Sequence, residues 1–232
     1  METMSLESPA LWLALLQIIW INILLSGDNA VVIAMACRQL PEKSRRWGII
    51  MGAGVAVGLR VLFTGIVATL MALPWLKLVG ALALLWIAVD LALPREEDTD
   101  PIHASDSLWR AVGTVAVADI VMSLDNVVAV AAVADGNWLL LTLGLVLSIP
   151  LIVAGSSLVM AIIDRLPLLV WAGAALLGWV AGEMLVSDAA VTRMLGGTHN
   201  ADHLARPAAA AGAVLVVGMA LVLGRLRRTK AG

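Results

Sequence analysis

Residues Ile21–Ala34 read INILLSGDNAVVIA and residues Ala118–Ala131 read ADIVMSLDNVVAVA, two apolar segments that share a polar core. At this offset of 97, 6 of the 14 positions are identical. A second match, at an offset of 93, aligns Gly80–Asp90 with Gly173–Glu183. Because both matches come in the same order, the sequence predicts two copies of one structural unit. The alternative is chance similarity between apolar helices, although a repeated Ser-x-Asp-Asn is harder to obtain by chance than repeated alanine and valine.

The composition indicates the class of protein. Of the 232 residues, 61% are hydrophobic and 14% are charged, and the net charge is −2. Soluble domains have about 45–50% apolar and about 25% charged residues. These values exclude a cytosolic enzyme, a disordered chain and a nucleic-acid binder. The single Cys37 also excludes a disulfide-stabilised secreted domain. An integral membrane protein with no enzymatic activity is therefore predicted.

Apolar stretches of the length that a membrane helix needs, about 20 residues, occur seven times. They are Pro9–Cys37, Trp47–Leu73, Trp75–Leu93, Trp109–Ala134, Trp138–Ile163, Pro167–Val186 and Pro207–Gly224. A three-helix unit crosses the membrane an odd number of times, so its second copy enters from the opposite face. The sequence predicts an all-α fold with an inverted 3+3 repeat and one appended helix, an architecture frequent in secondary transporters.

The predicted organisation is a single membrane domain. Its parts are repeat one (9–93), a cytoplasmic loop (94–108), repeat two (109–187), an external loop (188–206), a final helix (207–224) and a basic tail (225–232). One side holds 11 of the 15 basic residues and the other side holds 3, while Arg60 lies inside the second span. The positive-inside rule then places the N-terminus outside and the C-terminus in the cytoplasm.

Acidic residues inside the predicted spans outnumber basic ones. The acids are Asp28, Asp90, Asp119, Asp125 and Glu183, and the one base is Arg60. Each such charge costs about 2.5–3.5 kcal/mol at the centre of an inserted helix, so it needs a partner, a cavity or a pathway. One base cannot neutralise five acids. Either several carboxyl groups are protonated or a cation completes the site. For Arg60, a role as a structural counter-ion is favoured over a role as a substrate ligand.

Each Ser-x-Asp-Asn segment interrupts an apolar run and is expected to weaken the helix, because Ser, Asp and Asn compete for backbone hydrogen bonds. Broken helices near the midplane form binding sites in transporters. The alternative is a continuous helix with a polar packing stripe. One helical face carries Asn22, Ser26 and Asn29, and the matching face carries Asp119, Ser123 and Asn126. An inverted repeat would bring these faces together with Asp28 and Asp125.

The pooled side chains supply oxygen ligands and no imidazole or thiolate, which suits Mn²⁺, Mg²⁺ or Ca²⁺. Asp90 and Glu183 occupy equivalent repeat positions and are either an access relay for ions or protons, or hydrated acids at the membrane interface. His199 and His203 lie near Asp202 in the predicted external loop. They could form a surface metal site, but a solvated loop is the default interpretation.

The paired segments, Ser26–Ala34 and Ser123–Ala131, resemble the TerC family of integral membrane proteins, and within it the compact YjbE-type branch. The resemblance covers about Leu11–Asp188 and implies a bacterial inner-membrane metal exporter, with manganese as the best-supported ion. By motif match it implies metal binding by Asp28, Asn29, Asp125 and Asn126, with Asp119 and Glu183 as neighbouring acids. Leu124 replaces Gly27 in the second copy, which puts an equally sharp helix break there in doubt.

The leading hypothesis is a secondary transporter that exports Mn²⁺ in exchange for protons, since the chain has no Gly-rich nucleotide-binding motif. Two alternatives stay open: export of a small organic solute in the manner of LysE-type exporters, and a membrane chaperone that assists metallation of other proteins. The expected partners are the lipid bilayer and the transported divalent ion. No nucleic acid and no resident cofactor are expected, and a homo-oligomer is open.

Overall fold

The computed structural model describes residues 16, 27–38, 40–64, 73–93, 101–134 and 138–230, and for 64, 101–106, 124–134, 138–141 and 227–230 it describes the backbone alone. These ranges are helical and contain no strand. The helices are α1 (Gly27–Cys37), α2 (Glu42–Thr64), α3 (Leu76–Ala92), α4 (Pro101–Ala134), α5 (Trp138–Arg165), α6 (Leu168–Ser187), α7 (Ala189–Met194) and α8 (Thr198–Lys230).

Four of the described helices are long and apolar enough to cross a membrane. They include Glu42–Phe63, Thr142–Arg165, Leu168–Ser187 and Thr198–Leu226, and Gly27–Cys37 is a shorter apolar helix. The all-helical membrane fold is thereby confirmed, while the number of seven spans stays a prediction. In the first predicted span, the residues before Gly27 lie outside the described residues, with the exception of Leu16.

Basic residues gather at one end of the bundle. Arg38, just after α1, donates from Nη2 to the carbonyl oxygen of Leu91 at the end of α3, over 3.1 Å. Arg45, near the start of α2, pairs through Nη1 with Oδ2 of Asp164 at the end of α5, over 3.5 Å. The end of α1, the start of α2 and the ends of α3 and α5 therefore lie together. This shared end carries the residues Arg38, Lys43, Arg45, Arg46 and Arg165.

The last helix packs tightly on α6. A Cβ atom on Gly178 would lie 2.6 Å from the carbonyl oxygen of Gly212, and one on Gly182 would meet the backbone of Ala208. Both obstacles are backbone atoms, so neither could yield without moving a helix. Small residues four apart on each helix permit this approach, as is common between membrane helices, where close packing replaces the hydrophobic effect.

The helices of the two predicted copies contact one another in reciprocal pairs. Helix α2 packs on α4 and α5 packs on α1, while α3 packs on α4 and α6 packs on α1. Two matched glycines lie at the second pair of contacts. The Cβ position of Gly80 on α3 faces the Val121 side chain of α4, and that of Gly173 on α6 faces Val31 and Met35 of α1. In each case the third helix of one copy meets the first helix of the other.

In the second copy the structure has a continuous helix, which the sequence left open as the alternative to a break. Helix α4 continues through Ser123–Asn126 without interruption. Leu124, a strong helix former, stands where the first copy has Gly27. The Ser123 hydroxyl also bonds to a side chain one turn earlier, so it does not compete for the local backbone. In the first copy the described helix begins at Gly27, and Asn22 and Ser26 lie outside the described residues.

The predicted loops are also more helical than expected. Helix α4 begins at Pro101, inside the predicted loop 94–108, and α7 with the first turns of α8 occupies much of 188–206. Helix α8 also continues to Lys230, through most of the predicted tail. Hydropathy measures only the apolar part of a helix, so polar turns outside the membrane escape it. Pro101 follows Asp100 in the sequence, an order typical of a helix start.

Candidate functional site

A buried ion pair joins α2 to α4. Arg60 Nη2 lies 3.0 Å from Asp119 Oδ1, and both side chains are 2% exposed. Ser123, one turn after Asp119, donates from Oγ to Asp119 Oδ2 over 3.2 Å and accepts from Arg60 Nε over 3.4 Å. The hydroxyl therefore bridges the base and the acid. We call these three residues the Arg60–Asp119–Ser123 cluster.

Asp28 lies next to this cluster, on α1. It is close enough to interact electrostatically with the Arg60 guanidinium, and its carboxylate is also within electrostatic range of Asp119. Asp28 is half-buried, and its Oδ1 accepts a hydrogen bond of 2.8 Å from the backbone N–H of Asn29. Asp119 is thus paired with the Arg60 guanidinium, and Asp28, from another helix, lies within electrostatic range of it.

These charged groups lie about 14–21 Å along their helices from the basic end of the bundle. Asp28 precedes Cys37 by nine residues and Asp119 follows Arg110 by nine, which is about 14 Å along each helix from the basic end of the bundle. Arg60 follows Arg46 by fourteen residues, or about 21 Å. An apolar core of about 30 Å has its middle in this interval.

The structure brings together a subset of the predicted site residues. Asn29 is buried beside Asp28. Asp125 and Asn126 lie on α4 immediately after Ser123, and their side chains are outside the described part of the chain. Their ligand role therefore stays a prediction. Asn22 and Ser26 lie outside the described residues altogether.

The second predicted pair of acids is less buried than Asp119. Glu183 is exposed on α6, and Asp90 is half-buried near the end of α3. Neither environment resembles the enclosed ion pair of Asp119. The exposure of these two side chains agrees with the interface alternative, although a relay at the ends of a pathway would also need exposed acids.

Sequence reasoning missed a second buried carboxylate. Asp188 is 1% exposed, and its Oδ1 accepts from the backbone N–H of Ala190 (2.8 Å) and of Trp75 (3.2 Å), while Oδ2 accepts from Leu78 N–H (3.3 Å). It thus caps the starts of both α7 and α3. Burial raises the pKa of Asp188, but these hydrogen bonds and one from Val191 outweigh it and hold the pKa below its usual value. The Asp before an apolar helix was the available signal.

A buried hydroxyl on α5 also escaped prediction. Ser156 is 0% exposed, and its Oγ has no hydrogen-bond partner among the residues that the structure describes. The neighbouring Gly155 faces Ala30 of α1, the residue after Asn29, so Ser156 lies at the depth of the charged groups. Its small side chain gave no distinctive sequence signal.

The arrangement can hold cations through oxygen atoms in an apolar bundle. Asp119 forms an ion pair with Arg60, whereas Asp28 interacts with that guanidinium only at longer range. Buried carboxylates bind cations or protons, because an unneutralised charge is unfavourable in a medium of low dielectric constant. Among the described residues, no three His, Cys, Asp or Glu side chains are clustered as a complete metal site.

Apolar helices of spanning length that enclose charged side chains define an integral membrane protein with an intramembrane polar site. Residues 7–231 match the family described as Integral membrane protein TerC family. The chain belongs to this family, which confirms the resemblance drawn from the paired Ser-x-Asp-Asn segments.

Several bacterial proteins are similar to the chain. It is 44% identical to Uncharacterized membrane protein YjbE of Bacillus subtilis (strain 168) over 176 residues, which cover 76% of this chain and 80% of that protein. Identity to Uncharacterized membrane protein YceF of the same strain is 29% over 188 residues, covering 77% and 73%. Identity to UPF0053 protein YegH of Escherichia coli (strain K12) is 24% over 184 residues, covering 71% of this chain and 35% of YegH. No solved structure matches the chain.

Proposed function

We propose that this chain is a secondary transporter of the bacterial inner membrane that exports a divalent metal cation, with Mn²⁺ as its cargo. The observation that carries this proposal is the buried ion pair of Arg60 and Asp119, with Asp28 of a second helix within electrostatic range of both. Membership of an integral membrane family supports transport over an enzymatic role.

The charge balance of the site favours a cationic cargo. Arg60 compensates one carboxylate, so a second ionised carboxylate leaves the site negative. Asp125 adds a third acid to the same region of the sequence, six residues after Asp119. A hard divalent ion with oxygen ligands restores neutrality, and Mn²⁺ accepts carboxylate, amide and water oxygens. An anionic solute would instead meet uncompensated negative charge.

Export of a divalent ion requires coupling. Moving each positive charge outward against an inside-negative potential costs about 2.3 kcal/mol per 100 mV. Protons that enter by binding the same carboxylates supply the driving force, because protonation removes the charge that holds the metal. Metal and proton then compete for Asp28, Asp119 and Asp125.

An inverted repeat of α1–α3 and α4–α6 is part of the proposal. It is supported by the reciprocal helix contacts and by the matched positions of Gly80 and Gly173. In this arrangement the chain has seven spans, and the end that carries Arg38, Arg45 and Arg165 faces the cytoplasm. The acids then lie at the repeat interface, where transporters of this architecture bind their substrates.

Flux measurements on the purified protein in liposomes test the proposal. Mn²⁺ uptake and the internal pH would be followed together, with a metal-sensitive and a pH-sensitive dye. We expect Mn²⁺ flux with opposing proton movement in the wild type. The Mn²⁺ flux should fall at least about tenfold in Asp28→Asn and in Asp125→Asn, because each substitution removes a negative charge that offsets the charge of the cargo.

Asp164→Asn is the matched control, because Asp164 is an acid at the bundle end whose side chain is 50% exposed. It should leave the flux unchanged. Wild-type flux in both Asp28→Asn and Asp125→Asn would contradict the proposal. Flux of a cationic amino acid in place of Mn²⁺ would favour the LysE-type alternative, and no flux of either would favour the chaperone alternative.

A further inference from the structure

The first turns of α8 present two histidines on one face. His199 and His203 are four residues apart, both are exposed, and their Nε2 atoms lie 3.3 Å from each other. Their rings are nearly perpendicular, with centroids 4.5 Å apart and an interplanar angle of 85°. The residues therefore stand in a helix, where their spacing is fixed, and not in the loop that the sequence suggested.

The separation of the two nitrogens fits one shared metal ion. Zn²⁺ binds imidazole nitrogen at about 2.0–2.1 Å. Two nitrogens 3.3 Å apart, each about 2.1 Å from one ion, subtend an angle of about 104° at that ion, close to tetrahedral. A bare imidazole pair can share a hydrogen bond at this distance only if one Nε2 carries a proton. A metal ion can take the place of that proton when both rings carry their proton on Nδ1.

The helical turn that carries the pair is anchored by its surroundings. Gly196 and Gly197 adopt positive φ values of 86° and 120°, a reversal that glycine permits, and α8 begins directly after them. Asn200 then donates from Nδ2 to the carbonyl oxygen of Leu195 over 2.7 Å, and Ala201 is buried. These contacts hold the backbone between the two histidines, so binding a metal would cost little ordering of the chain.

We propose that His199 and His203 form a surface site for a late first-row transition-metal ion such as Zn²⁺, Ni²⁺ or Cu²⁺. The site lies at the end of α8 opposite its basic residues Arg225–Lys230. Gly224, beside those residues, packs near Leu93 at the end of α3, so the site lies at the end of the bundle opposite the basic one. Imidazole favours these ions over Mn²⁺, the reverse of the preference expected for the intramembrane oxygen set. Water and the neighbouring Asp202 are available to complete the coordination shell.

Metal titration of the full-length protein tests this site. The protein would be purified through a tag without histidine and titrated with Ni²⁺ by calorimetry in detergent. We expect the wild type to show a Ni²⁺-binding step of one ion per chain that does not depend on Asp28. His199→Gln and His203→Gln should each weaken binding by about one to two orders of magnitude, because the second imidazole binds intramolecularly. An equal concentration of Mn²⁺ should not displace Ni²⁺.

His103→Gln is the matched control, since it removes the third histidine of the chain and leaves the pair intact. It should retain the Ni²⁺-binding step of the wild type. Asp28→Asn should retain it as well, so this site can be present even if the proposed transport function is wrong. Electron paramagnetic resonance of bound Cu²⁺ should show coupling to two equivalent nitrogens in the wild type and to one in each single variant of the pair. Wild-type Ni²⁺ affinity in both pair variants, or loss of binding in His103→Gln or Asp28→Asn, would overturn the proposal.

Discussion

Asp119 and Asp188 are the two buried carboxylates of the part of the chain that the structure describes, and their partners differ in kind. Asp119 is bound by side chains, the Arg60 guanidinium and the Ser123 hydroxyl. Asp188 is bound by backbone N–H groups at the starts of α3 and α7. Both are at most 2% exposed, so burial alone does not distinguish them.

The two carboxylates differ in whether their binding partners can be replaced. A side chain such as Arg60 can rotate away and be replaced by a cation of similar charge, whereas backbone N–H groups are fixed by the helices that carry them. Asp119 is thus suited to a step in which the partner changes, and Asp188 is suited to joining helix ends permanently. We expect substitutions at the two positions to separate transport from stability.

The largest effect is expected for Arg60→Met. Removing one member of a buried ion pair leaves the other charge uncompensated, which typically costs about 3–5 kcal/mol. The Asp119 carboxylate would then need protonation or a metal ion. Free energies of unfolding from titration with a denaturing detergent, in mixed micelles, would measure the loss.

The double variant Arg60→Met, Asp119→Leu is the control for this loss. With both charges gone, most of the stability should return, because apolar replacement of a buried pair is often neutral. Transport should not return, since the proposed function needs the carboxylate. A double variant as unstable as Arg60→Met would show that Arg60 is held mainly by something other than Asp119.

An intermediate effect is expected for Asp188→Ala, about 2 kcal/mol, because it removes a helix cap and leaves buried N–H groups without their acceptor. The lowered pKa of Asp188 also sets a pH dependence. A carboxyl group whose pKa is depressed on folding stabilises the protein above its unfolded pKa, about 3.9, and loses this contribution as the pH falls through the folded value.

Melting temperatures of the wild type and Asp188→Ala, measured in detergent from pH 7 downward, test this dependence. Their difference should stay constant to about pH 5 and narrow below about pH 4. Purified Asp188→Ala that folds at neutral pH should retain Mn²⁺ flux per folded molecule. A selective loss of flux at full stability would place Asp188 in the transport pathway instead.

The sequence predicted the features that arise from local composition. Apolar length predicted the spanning helices α2, α5 and α6, and the rule for basic residues predicted which helix ends lie together. Charge counting predicted that Arg60 has an acidic partner. It could not choose among five acids, because that choice depends on how α2 rotates and packs against α4.

The remaining features depend on contacts between distant residues. Asp188 and Trp75 are 113 positions apart, so nothing local indicates that one carboxylate caps two helices. The sequence left open whether the helix breaks at Ser123–Asn126, because the bond from Ser123 to Asp119 that relieves the competition for backbone hydrogen bonds is seen only in the structure. The histidine pair was assigned to a loop because its turn is polar, although the helix there is continuous with an apolar span.

The smallest effects are expected for two buried serines. Ser123 has hydrogen-bond partners, as the two carboxylates do, whereas Ser156 has none among the described residues. Ser123→Ala removes a donor to Asp119 and an acceptor of Arg60 and should cost about 1–2 kcal/mol. Ser156→Ala removes a hydroxyl that has no hydrogen-bond partner in the described part of the chain, and it should be neutral or slightly stabilising, within about 0.5 kcal/mol. The same detergent titration would compare them, and the two substitutions match in size. If Ser156→Ala proved as costly as Ser123→Ala, the Ser156 hydroxyl would have a partner in the membrane. A hydrated cation would be the first candidate, because the neighbouring Gly155 faces Ala30, the residue after Asn29. Repeating both titrations with Mn²⁺ would test it.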